Sequence, residues 1–114
     1  MKNSLKYLTQ TEKHAVERFV QSIRAKLGRS LLKLELFGSK ARGDYTAVSD
    51  IDILVIVKER TLDVMDTVAD VTSRVNIEYD LSISPVVFSE QEYKVNADIA
   101  SPFSMTVESE GVLL

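Results

Sequence analysis

Seven residues, Ile51 to Val57, read IDILVIV, and after Asp52 no side chain in the run is polar. A strand apolar on both faces has to be covered on both, so it belongs at the centre of a sheet with helices on either side. The residues leading into it are Ser49, Asp50, Ile51 and Asp52. Side chains two apart on a strand share a face. The Asp50 and Asp52 carboxylates should therefore emerge together at the mouth of the strand, with Cβ atoms roughly 6.5 Å apart, twice the ~3.3 Å rise per residue. Like charges that close to a core repel each other unless a cation lies between them.

The flanking segments supply the covering elements. Thr9 and Glu12 have capping-box spacing, and Val16, Phe19, Val20, Ile23 and Leu27 follow at helical intervals. A helix over 10–27 is expected, stopped by Gly28. Leu31 to Phe37 read as a strand with Leu32, Leu34 and Leu36 on one face. Residues 39–49 form a loop with room for a short helical turn. Leu62, Met65, Val68, Ala69 and Thr72 mark a second helix over 61–75. From Val75 to Ser84 the pattern alternates: Ile77, Tyr79, Leu81 and Ile83 against Glu78, Asp80, Ser82 and Ser84. That predicts a half-buried strand, with Pro85 limiting its continuation. Ser89 and Glu92 cap a short helix over 90–98. Pro102 opens a last helix to about Glu110, Gly111 ends it, and Val112 to Leu114 add an edge strand. The expected fold is α/β or α+β: a small mixed sheet of about three to four strands packed with helices, in one domain spanning 1–114.

Composition narrows the chemistry. The chain has 114 residues, a net charge of −3 and a pI near 5.1, which argues against a broad nucleic-acid surface. There is no cysteine, hence no disulfide and no thiolate zinc site, and His14 cannot form a histidine metal site alone. No apolar run approaches the ~18 residues of a membrane span. The opening MKNSLKYLTQ lacks the apolar stretch of a signal peptide, so a cytoplasmic protein is expected.

What remains is hard-ligand chemistry. Paired carboxylates suit Mg²⁺ or Mn²⁺, and magnesium is usually completed by substrate phosphates. A third carboxylate would allow two ions about 3.5–4 Å apart, the arrangement for in-line attack at phosphorus. If the alternating segment is a strand beside Ile51–Val57, Asp80 is the candidate; Glu78 shares its face one pleat earlier. Ahead of the aspartates, Gly38 permits positive φ and close backbone approach. The N–H groups after it and the Ser39 hydroxyl can cradle phosphate oxygens. Arg42 offers a multi-donor fork, and Ser49 can hydrogen-bond the loop. Tyr45, in the same loop, could stack on a base but is read as an incidental exposed tyrosine.

The stretch Gly38-Ser39-Lys40-Ala41-Arg42-Gly43, five residues, Ser49-Asp50-Ile51-Asp52-Ile53 resembles the signature of the minimal nucleotidyltransferases of the DNA polymerase beta superfamily. The closing Glu-Gly-Val-Leu-Leu also resembles the end of such domains. The resemblance implies that Asp50, Asp52 and Asp80 bind two Mg²⁺ ions (Mn²⁺ as a substitute), with Asp80 also activating the attacking hydroxyl. It implies that Gly38 and Ser39 hold the β- and γ-phosphates, with Arg42 bracing the loop or touching the triphosphate. The implied reaction transfers a nucleoside monophosphate, AMP from ATP, to an acceptor hydroxyl. The implied acceptor is a HEPN-domain toxin for which this chain is the antitoxin. The competing expectation is a non-catalytic antitoxin that neutralises its partner by covering it. Self-association is left open.

Overall fold

The computed structural model describes residues 5–44 and 49–114. Helix α1, Gln10–Leu27, begins at the expected capping box: the Thr9 side chain accepts the Glu12 N–H, and the Glu12 side chain accepts the Thr9 N–H. A 3₁₀ turn over Gly28–Ser30 leads into strand β1, Leu31–Phe37. The short helix α2, Ser39–Arg42, separates it from strand β2, Ile51–Val57. Helix α3 (Leu62–Tyr79), strand β3 (Ile83–Ser89), helices α4 (Glu90–Asp98) and α5 (Pro102–Glu110) and the two-residue strand β4 (Val112–Leu113) complete the chain.

The sheet runs β3-β2-β1-β4. β2 is antiparallel to β1 and parallel to β3, and β4 is antiparallel to β1. The sheet is therefore mixed, with β2 inside it, as its two apolar faces require. One face of β2 (Ile51, Ile53, Val55, Val57) packs with Ala15, Val16, Phe19 and Ile23 of α1 and Val64, Val68, Val71 and Val75 of α3. The other face (Leu54, Ile56) meets Phe37, Phe88, Phe103, Tyr93 and Val107 under α4 and α5. There Phe103 lies edge-on to Phe37 at 5.3 Å and tilted against Phe88 at 5.4 Å. Such ring pairs add roughly 0.5–1.5 kcal/mol beyond the area they bury, and they hold α5 against the sheet.

The alternating segment is not a strand. α3 continues through it to Tyr79, and its buried row is Val64, Val68, Val71 and Val75, spaced by four, three and four. That 3.6-residue period wins because α3 has the α1 surface to bury against. The alternation was coincidental: Ile77 is 80% exposed, and so is Leu62, assigned to the buried stripe from sequence, at 82%. Leu32 is likewise more exposed than its strand mates Leu34 and Leu36. Asp80, expected mid-strand, instead caps α3 in the left-handed region (φ 51°, ψ 52°), its N–H donating to the Asn76 carbonyl. Short-chain Asp tolerates that conformation where most residues do not.

β3 then starts at Ile83 and runs through Pro85, which an outer strand tolerates. The Asn76 side chain accepts the Ile83 N–H at 2.7 Å and donates to the Ile83 carbonyl at 3.1 Å, tying the end of α3 to the strand.

Candidate active site

The site is built where β1 ends and β2 begins. Phe37 pairs with Asp52 across the two strands, so the turn after Phe37 lies directly over Asp52. Gly38 makes that turn at φ 79° and ψ −161°. A Cβ at this position would collide with Oδ2 of Asp52. Glycine is required twice over, by the backbone conformation and by the carboxylate against it. The Gly38 carbonyl accepts the Ala41 and Arg42 N–H groups, winding α2 so that Ser39 opens it. Gly43 closes α2 at φ 92°, with the Tyr7 ring where a side chain would go.

Asp50 and Asp52 continue the row of Leu54 and Ile56, and so face the α5 side of the sheet. Asp50 is exposed and Asp52 half-buried. Burial, chiefly, and the neighbouring Asp50 charge push the Asp52 carboxyl above its ordinary value; Glu110 adds to this and Arg42 opposes it. An anionic site with a desolvated carboxylate is the electrostatic setting that favours a bound cation.

The strand register shows what lies beside the pair. Asp52 is opposite Ser84, and the Ile51 N–H donates to the Ser82 carbonyl, which sets Ser82 beside Asp50. The Ser82 hydroxyl donates to Asp50 Oδ1 at 2.7 Å. The residues next to the two aspartates, Ser82 just before β3 and Ser84 within it, thus carry hydroxyls, not carboxylates. Among the described residues no three His, Cys, Asp or Glu side chains gather so as to hold a metal ion. The expected convergence of Asp80 with Asp50 and Asp52 does not occur, because the helix absorbs the segment that would have carried it. Two carboxylates still fit one divalent ion of the magnesium type, which binds one or two carboxylates plus substrate phosphates.

Two further side chains, Glu110 and Lys40, neither singled out as a site residue from the sequence, brace the turn and the short helix after it. Glu110, the last residue of α5, accepts the Gly38 N–H at 2.7 Å. It also accepts Arg42 Nη1 at 2.8 and 3.0 Å on its two oxygens. Arg42 in addition donates from Nε to both Asp44 oxygens, so the described contacts of this guanidinium are carboxylates of the protein itself. Lys40 turns the other way, into the core beneath α2, where its Nζ donates to Glu12 Oε2 at 2.7 Å. Both partners of that pair are nearly fully buried. Burial alone would raise the Glu12 carboxyl, but Lys40 and the Thr9 backbone outweigh it and leave it below its ordinary value. Ser49 is half-buried immediately before Asp50. Tyr45 lies outside the described residues.

With this geometry in view, the relatives are informative. Residues 16–108 match the model of the nucleotidyltransferase domain family. Two proteins of Methanocaldococcus jannaschii are similar along most of their length. "Putative protein adenylyltransferase MJ0141" is 36% identical over 98 residues, covering 85% of this chain and 92% of that one. Its namesake MJ0604 is 38% identical over 103 residues, covering 90% and 97%. The chain belongs to the nucleotidyltransferase family, a family of enzymes. Its fold is shared by the solved "Structure of putative minimal nucleotidyltransferase", with a TM-score of 0.58 and 21% identity over 93% of this chain and 97% of that one. A crystal structure of the MntA–HpeT toxin–antitoxin pair, in mutant form, gives a TM-score of 0.55 with 20% identity over 86% and 70%. No helix among the described residues is long and apolar enough to cross a membrane.

Proposed function

We propose that residues 1–114 act as one cytoplasmic nucleotidyltransferase domain that transfers AMP from ATP to a hydroxyl of a protein acceptor, with a HEPN-domain toxin as that acceptor. The observation that carries the reading is the Asp52 carboxylate, partly desolvated and lying against the Gly38 backbone at the entrance to β2. It puts a cation-seeking group within one residue's width of a turn suited to phosphate. The protein-adenylyltransferase names of the two relatives and the toxin–antitoxin origin of one structural neighbour support the choice of acceptor.

In the reaction the acceptor oxygen forms a bond to the α-phosphorus, and the bond from that phosphorus to the bridging oxygen breaks. Pyrophosphate leaves with the electron pair, and the hydroxyl proton passes to solvent. Asp50 and Asp52 would hold Mg²⁺, which when bound neutralises phosphate charge as the leaving group departs. Ser82 orients Asp50 through the hydrogen bond to Oδ1. Gly38 leaves the space that lets triphosphate and Asp52 share one turn, and the Ser39 hydroxyl and N–H are offered to phosphate oxygens.

The test is incubation of the co-expressed pair with α-labelled ATP and Mg²⁺. Label should move to the partner, and Asp52→Asn should cut transfer by more than roughly 100-fold, the upper end of what losing a group behind a metal ligand costs. Absence of transfer with the intact chain would refute the reading. The serines in register with Asp50 and Asp52 favour a second reading, a non-catalytic antitoxin that binds and covers its partner. Under it, Asp52→Asn leaves toxin neutralisation in cells unchanged and no label ever moves.

A further inference from the structure

Glu110 reaches the turn from 72 residues away in sequence, and the fold goes to some length to put it there. The Phe103 ring, one residue into α5, is fixed between Phe37 and Phe88. At the other end, the Gly111 N–H donates to the Val107 carbonyl at 2.7 Å, and any Cβ on Gly111 would run into that same carbonyl. Immediately afterwards Val112 pairs with Leu36 and Leu113 with Glu35. Helix gives way to strand within one residue, and the last helical side chain is laid beside the end of β1.

There the Glu110 side chain is only 14% exposed, and it meets two donors that belong to the phosphate turn, the Gly38 N–H and Arg42. A residue selected for stability alone would be a poor choice here. It sets a third carboxylate at the turn that lies directly over Asp52. What the carboxylate provides is a rigid fork: one oxygen takes both the Gly38 N–H and Arg42, and the other binds Arg42 again.

We propose that Glu110 is a positioning residue for nucleotide binding: by gripping the Gly38 N–H and Arg42 together it sets the Gly38–Ser39 turn against Asp52, and it keeps Arg42 as a brace of the loop instead of a ligand of the triphosphate. This rests on the nucleotide-binding reading above. It also changes the expected division of labour, since phosphate contacts then fall to Ser39 and not to the Gly38 N–H or Arg42. The opposite arrangement is a latch, in which incoming triphosphate displaces Glu110 from Arg42. The two differ in sign. Removing the Glu110 charge loosens the turn and weakens binding under the proposal, whereas it frees Arg42 and strengthens binding under the latch.

The experiment titrates the full chain with ATP in the presence of Mg²⁺, for the wild type, Glu110→Gln, Arg42→Ala and the double variant, with thermal melts on the same samples. Glu110→Gln should weaken ATP binding on the order of tenfold, as losing an outer-shell partner does. Arg42→Ala should do about the same, and the double variant no worse than either single, because the two act as one unit. Unchanged or tighter binding by Glu110→Gln, or additive losses in the double, would overturn the proposal. One measurement needs no variant and holds even if Glu110→Gln does not fold: the Gly38 amide should stay protected from hydrogen exchange when ATP and Mg²⁺ saturate the wild type. Loss of that protection on binding means that Glu110 lets go, and the latch is correct. A wild-type chain that binds no triphosphate refutes the underlying function instead, an outcome distinct from either.

Discussion

The two ends of β2 handle charge in opposite ways. At the far end, Lys58, Glu59 and Arg60 leave the sheet for solvent, and Arg60 meets Glu92 in a two-pronged pair at 2.7 and 2.9 Å. Opposite charges face each other, and Arg60 and the Ser89 cap hold the Glu92 carboxyl down at about 2. At the near end, the Asp52 carboxyl is raised chiefly by burial and then by the charges of Asp50 and Glu110, with Arg42 as partial compensation. A strand can end in charge without tension, as the far end shows. The near end keeps its repulsion, and it does so where the backbone has been opened by a glycine. Uncompensated charge, more than charge itself, marks the proposed working end of the strand.

The contrast can be probed from the most damaging change to the least. Lys40→Met strips the partner from buried Glu12 beneath the near end. It should cost about 3–5 kcal/mol in a denaturant titration, the usual result of orphaning one member of a buried pair. Replacing both, Lys40→Met with Glu12→Gln, should recover part of that loss. The Glu12 contribution should be present above its ordinary value of 4.5 and fade as pH falls through its lowered folded value.

Gly38→Ala should cost about 1–3 kcal/mol for the glycine-only backbone conformation alone. It should also displace the Asp52 carboxylate, so that ATP binding falls by more than the stability change explains. Normal ATP binding by a folded Gly38→Ala chain would remove the steric role assigned to this glycine.

Asp52→Asn tests the burial of charge and the repulsion at the near end together. Because the folded carboxyl lies above its ordinary value of 3.8, the folded state holds its proton longer than the unfolded state. Stability is therefore lost as pH rises from the ordinary value through the folded one, and the loss persists at neutral pH. The asparagine variant should lack that decline and melt slightly higher at pH 7. Arg60→Ala, at the far end, should leave both the melting temperature and ATP binding nearly unchanged, since exposed pairs add little. A large effect there would erase the distinction between the two ends.

Much of the framework was legible because it is written in local periodicity. α1, β1, β2, α4 and α5 have the extents that capping boxes, alternation, the N-terminal proline and the glycine stop indicate. Gly38, Asp50 and Asp52 stood out for the same reason: the turn and the strand mouth adjoin in sequence. The failure came where two periods overlapped. From Val75 to Tyr79 the residues satisfy both a helical row and an alternation, and only the presence of α1 as a packing partner decides between them. That one misreading carried Asp80 onto a strand it does not occupy. Glu110, Ser82 and the Glu12–Lys40 pair were out of reach for another reason. Each depends on which elements the fold brings side by side, and nothing in a pair of residues 28 or 72 positions apart announces that they will touch.

The outer rim of β3 has a consequence for how another molecule could approach. Asn76 already occupies both backbone groups of Ile83, and Pro85, two residues on along the same rim, has no N–H to give. An incoming strand would find its first two rungs impaired at this end of the edge, which discourages pairing there. A protein that docks at this corner gains more from recognising side chains than from adding a strand, and accidental growth of the sheet into a neighbour's is made harder.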